Sequence, residues 1–163
     1  MSKYPLYQLS EFDYYFEVEE LEGIQYKVEY SSSSHLLPTK LIDNDIYEMS
    51  FSRIGVKSGH TRQISKRIEK TISFALVDFI TKFKCPIVFI CDSLDNRHFY
   101  RLTLFNSWYN NLENKEPYTF EMRELITDEG LSYYTGMVIL NDHPKLIELV
   151  AEFDSPEIFS DKA

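Results

Sequence analysis

Four cations crowd one short stretch of this 163-residue chain: Lys57, Arg62, Lys66 and Arg67, with Gly59 among them. From Lys57 to Lys84 there are seven Lys/Arg and two acids, a local charge of +5 in a chain of net charge −9. The apolar spacing that follows predicts a long helix, so the cations gather at a helix start. The helix macrodipole is positive at that end, and each cation there is unfavourable by ~0.3–1 kcal/mol. A bound phosphate or carboxylate resolves the conflict, held by open backbone N–H groups and the cations together. Lys57, Gly59, Arg62 and Lys66 are therefore the candidate anion-binding residues. The plainer alternative is that these cations are solvated, or pair with Glu17, Glu19, Glu20 and Glu22, where exposed pairs contribute little.

A second polar group is the run Asp92-Ser93-Leu94-Asp95-Asn96-Arg97, which leaves the carboxyl end of an apolar stretch, PIVFIC. Open sheets tend to place ligands at such ends. Asp95 or Asn96 can cap the helix that follows, and Arg97 and Arg101 are four residues apart on one helix face. Asp92, Asn96, Arg97, Tyr100 and Arg101 make a candidate polar pocket for a polar substrate. The same residues serve equally as a cap and an ion-paired helix face.

Other chemistry finds less support. His35, His60, His98 and His143 are dispersed, and no His/Cys/Asp cluster has the spacing of a structural zinc site, so no metal is expected. Cys91 sits in an apolar run without an activating neighbour, which makes it an inert core thiol. Cys85 and Cys91, six residues apart in extended chain, stand ~20 Å apart, beyond disulfide reach. Neither a GxxxxGK loop nor a GxSxG elbow occurs. The acidic balance argues against general nucleic-acid binding. No apolar run is long enough to span a bilayer and no leader is visible at the N-terminus, so a soluble, cytoplasmic protein is expected.

The elements that must position these groups are legible as periodicities. DYYFEVE from Asp13 and IQYKVEY (24–30) alternate and read as a hairpin across Glu20–Gly23. Residues 46–56 resume strand character. Ile64, Ile68, Ile72, Ala75, Leu76, Phe79 and Phe83 form one apolar stripe on a helix from Thr61 to Phe83. Pro86 stops that helix, and IVFI has the unbroken apolar run of an interior strand. A second helix over 97–112 buries Leu102, Phe105, Trp108 or Tyr109, and Leu112. Strands at 117–125 and 131–140 follow. A last helix begins near NDHP, with Asp142 as N-cap and Pro144 in the first turn. The order β-β-β-α-β-α-β-β-α requires a parallel pair with a right-handed crossover in the middle. The expectation is one α+β domain over 1–163: a mixed, twisted sheet of about six strands with three helices, and loosely attached ends at 1–11 and 154–163.

Two resemblances bear on function. ICDSLDNRHFYRLTLFNSWYN, with LNDHP and ISKRIEKTI, resembles a family of short bacterial proteins known only as a domain of unknown function. That resemblance spans nearly the whole chain and implies no activity. The element order also resembles the GNAT-type N-acetyltransferase fold. That fold carries Arg/Gln-x-x-Gly-x-Gly/Ala before its long helix, to hold the pyrophosphate of acetyl-coenzyme A. Here the stretch is Val56-Lys57-Ser58-Gly59-His60-Thr61, and only Gly59 matches. Asn96 matches the later Asn-x-x-Ala, with Phe99 for the alanine, Thr103 for the tyrosine that acts as proton donor, and Ser107-Trp108 for Gly-Phe. Tyr100 is one helical turn away from Thr103.

These observations lead to an acetyltransferase-like domain, non-catalytic or degenerate, that acts by binding a protein partner. Residues 1–50 and 113–163 are strongly acidic, at −7 and −8, and no catalytic motif is complete. The alternative is an acyl-coenzyme A-dependent N-acyltransferase or other binder of an anionic small molecule, with a coenzyme A derivative as cofactor.

Overall fold

The computed structural model describes residues 2–32, 46–55, 61–91, 98–126, 129–130 and 132–154. The elements are β1 (Tyr7–Gln8), β2 (Asp13–Glu17), β3 (Gln25–Ser32), β4 (Tyr47–Ile54), α1 (Arg62–Phe83), β5 (Ile87–Cys91), α2 (His98–Asn110), β6 (Tyr118–Ile126), β7 (Ser132–Leu140) and α3 (Leu146–Phe153). They form a mixed seven-stranded sheet in the order β1-β2-β3-β4-β5-β7-β6. Among the described residues only β4 and β5 are parallel neighbours. This is the pair expected on either side of the long helix.

The seventh strand is β1, whose two residues pair with Tyr14 and Tyr15 of β2. Two residues carry no readable period, so the count of about six missed it. The segment expected as a loosely attached arm instead sends Tyr4 into the core, with no exposed surface. Its N–H donates to Thr71 Oγ1 (2.9 Å), and its hydroxyl donates to Glu20 Oε2 (2.6 Å). Burying this large ring offsets the entropy of ordering the few residues around it.

α1 starts where its chemistry predicts. Thr61 is the N-cap, its hydroxyl accepting from the Ile64 N–H at 3.3 Å. Ile64, Ile68, Thr71, Ile72, Ala75, Phe79 and Ile80 are buried, while Leu76 and Phe83 of the expected stripe are partly so. Lys84 closes the helix in the left-handed conformation, at φ 55°. Pro86 then begins the turn into β5.

β5 is covered on both faces, which is why its sequence has no polar alternation. Ile87 and Phe89 point into the core shared with α1 and α2. Val88 joins Ile46, Met137, Ile139, Leu149 and Phe153 in a second core under α3 on the opposite face. On β7, a Cβ at Gly136 would lie 2.2 Å from the Phe89 ring, its register partner, so only glycine lets that ring lie flat.

α3 begins later than NDHP suggested. Lys145, not Asp142, is the N-cap, and it makes no side-chain cap bond. Residues 141–145 form a turn in which His143 accepts the Leu146 N–H on its carbonyl and the Lys145 N–H on Nδ1. Asn141 does the latching: its amide donates to the Glu116 carbonyl (2.7 Å), and its Oδ1 accepts from the Thr119 hydroxyl. That ties the end of β7 to the start of β6 and leaves Asp142 exposed.

Candidate functional site

The parallel pair is short. β4 and β5 share register only at Tyr47↔Ile87 and Glu48↔Val88. Beyond these, β4 continues to Ile54 and β5 to Cys91 without pairing to each other. Each keeps its other neighbour throughout: β4 pairs with β3 up to Ile54, and β5 pairs with β7 up to Cys91. The sheet therefore divides at Met49 and Phe89. Since β4 and β5 are parallel, the chain leaves both at the divided end, and α1 and α2 follow from there.

Aromatic side chains bridge the divide on the face of α1 and α2. The Phe105 ring stacks on Phe89 at 4.2 Å between centroids and meets Phe51 at 5.6 Å. Trp108 lies 5.4 Å from Phe51 and 5.5 Å from Phe105. Beneath them is a small cavity of about 20 Å³, which Met49, Ile72, Leu76 and Phe120 also line.

The basic helix start resolves into two groups. Arg67 turns toward the acidic hairpin end: its Nη1 lies 2.9 Å from Glu20 Oε1 and 3.2 Å from Glu19 Oε2. Its Nε donates to the Ser2 carbonyl (3.1 Å), and its guanidinium lies 4.0 Å from the centre of the Tyr4 ring. Two of the four glutamates expected as partners therefore serve; Glu17 instead accepts from the Gln25 amide. The Tyr4 hydroxyl, and secondarily Arg67, hold the Glu20 carboxyl below its ordinary pKa. Lys70 pairs with Glu113 at 3.0 Å.

Arg62 and Lys66 behave differently. Both are exposed, four residues apart on the first turns of α1, and among the described residues neither forms an ion pair. No acid occupies the first turn. Among the described residues, the cations nearest the divided end are the ones left to solvent.

Of the remaining sequence-derived residues, Lys57 and Gly59 lie outside the described residues, as do Asp92, Asn96 and Arg97. Tyr100 and Arg101 belong to the first turn of α2, with their side chains outside the described set. Of the candidate polar pocket, only the backbone at the start of α2 is among the described residues. Sequence reasoning missed Tyr4 as a partner of Arg67, because nothing in a single aromatic near a terminus signals burial. Among the described residues no group of three or more His, Cys, Asp or Glu is placed to hold a metal ion. Cys85 is buried. No described helix is long and apolar enough to cross a membrane.

A family model described as a family of unknown function (DUF6169) matches residues 65–155. The chain belongs to that family. The match runs from α1 through α3 and so takes in β5, α2 and the Asn141 latch. The family's description carries no activity. No curated protein and no solved structure matches the chain.

Proposed function

We propose that this member of the family binds an anionic ligand of the acyl-coenzyme A type at the divided end of the sheet. The observation that carries the reading is the parallel pair that separates after two register positions beside a helix start with two solvent-facing cations. Parted strands offer backbone groups to an extended polar ligand, the Phe51/Phe89/Phe105/Trp108 rings offer an apolar floor, and Arg62 and Lys66 suit phosphate. The strand order and single parallel pair support an acetyltransferase-like architecture. Thr103, at the position of that fold's tyrosine, carries no phenol, so the reading is a binding function without a named proton donor.

The test is a thermal-shift titration with acetyl-coenzyme A, coenzyme A and pyrophosphate, beside an Arg62/Lys66→Ala double variant. Binding to the native state raises the midpoint by mass action, ~2.7 kcal/mol at a hundredfold excess over Kd. A saturable rise that the variant loses is expected. A flat titration with all three ligands overturns the reading. The neutralisation of Arg67 and Lys70 by acidic residues favours the second reading, a protein-binding domain without a small-molecule site.

A further inference from the structure

The sheet ends in two unlike edges. One is β1, two residues long; the other is β6, nine residues long, which has β7 as its only strand neighbour among the described residues. A two-residue edge offers little backbone to another chain, whereas a long edge is a template for a further strand. We propose that β6 pairs antiparallel with β6 of a second copy of this chain, about a two-fold axis beside Met122.

The register follows from the side chains. Thr119, Glu121 and Arg123 oppose Ile139, Met137 and Thr135 and lie on the α3 face. Tyr118, Phe120, Met122 and Glu124 lie on the other face. A two-fold axis normal to the sheet keeps each face on its own side, so odd positions meet odd positions. Centring the axis on Glu121, Arg123 or Glu124 sets each of those charges against its own copy. Centring it on Phe120 sets Glu121 against Thr119 and Arg123 against Pro117, without an opposite charge. Centring it on Met122 sets Glu121 of each copy opposite Arg123 of the other. Opposite charges directly across a ladder attract and like charges repel, so of these registers the one centred on Met122 gains from both pairs.

Both side chains are half-buried, where such pairs are screened less than in open water. Arg123 Nη1 donates to the Phe153 carbonyl at 2.8 Å, which steadies its stem beside β6. A guanidinium has five N–H donors, so a pair with Glu121 of the second copy adds to that bond. The contact continues the sheet across the two copies and leaves the divided end of β4 and β5 untouched. It is therefore independent of the ligand reading.

The test is charge exchange, followed by light scattering after gel filtration from micromolar to sub-millimolar protein. The wild-type chain is expected to be a dimer. Glu121→Arg and Arg123→Glu each weaken association by about tenfold or more, since both pairs turn repulsive at once. Glu121→Arg keeps the Arg123 bond to Phe153, so its effect is not one of local unfolding. An equimolar mixture of the two variants restores a mixed dimer, read by native mass spectrometry, and the double exchange restores a homodimer. A wild-type chain that stays monomeric overturns the proposal. So does a dimer that survives both reversals, or variants that fail to pair with each other.

Discussion

Replacing Tyr4 by alanine tests how firmly the N-terminal segment is part of the fold. Its ring is fully buried, stacked on Phe16 at 5.7 Å between centroids, and it lies under the Arg67 guanidinium at 4.0 Å. Truncating a large buried aromatic to alanine typically costs ~3–5 kcal/mol. A companion variant, Tyr4→Phe, keeps the ring and removes only the hydroxyl that donates to Glu20. Hydrogen bonds to charged groups contribute ~1.5–3 kcal/mol, and the half-exposed Glu20 carboxylate sets this one at the low end, ~1.5 kcal/mol. The expected result is a loss of ~4 kcal/mol for alanine and ~1.5 kcal/mol for phenylalanine, by urea unfolding followed by circular dichroism. An unchanged m-value would show that the loss is one of stability rather than of compactness. A Tyr4→Ala chain within ~1 kcal/mol of wild type would refute the burial and return the segment to a loose arm.

Three further outcomes follow from the core and its ion pairs. Tyr30 has a buried hydroxyl without a hydrogen-bond partner among the described residues, and burial pushes its pKa up; Tyr30→Phe removes that unsatisfied group and should raise stability by ~1 kcal/mol in the same urea assay. Gly136→Ala drives a Cβ into the Phe89 ring at 2.2 Å, and a loss of ~1–3 kcal/mol is expected, with a changed near-ultraviolet spectrum as Phe89 and Phe105 shift. Glu20 has a folded pKa held below the ordinary 4.5, so its contribution is present above that value and is lost as pH falls through the folded one. Acid unfolding of Tyr4→Phe should therefore show a weaker pH dependence below about pH 4.5, and an identical acid profile would count against the Tyr4–Glu20 bond.

Much of the architecture is local and so was open to reading along the chain. A stripe at three- and four-residue steps announced α1, Thr61 and Pro86 bracketed it, and the unbroken IVFI run marked a strand buried on both faces. A strand, a helix and another strand in succession demanded one parallel pair, and β4 with β5 is that pair. The charge imbalance around Lys57–Lys84 was likewise a property of composition.

Tertiary structure decided what each local signal met. Arg62, Lys66 and Arg67 are alike in sequence, yet Arg67 faces the hairpin end and closes on Glu19, Glu20 and Tyr4, while its two neighbours face solvent. That difference is a rotation around the helix, and its partners are more than forty residues away. The two-residue strand β1 likewise depends on β2, and the burial of Tyr4 depends on Phe16 of β2 together with Arg67 and Thr71 of α1. Asp142 had the chemistry of a cap, but Asn141 ties this turn to Glu116 and Thr119, and the helix starts at Leu146. Hydrophobic period and capping act within a few residues and can be read in order. The division of β4 from β5, and the choice among equivalent charges, arise only when distant segments compete for one surface.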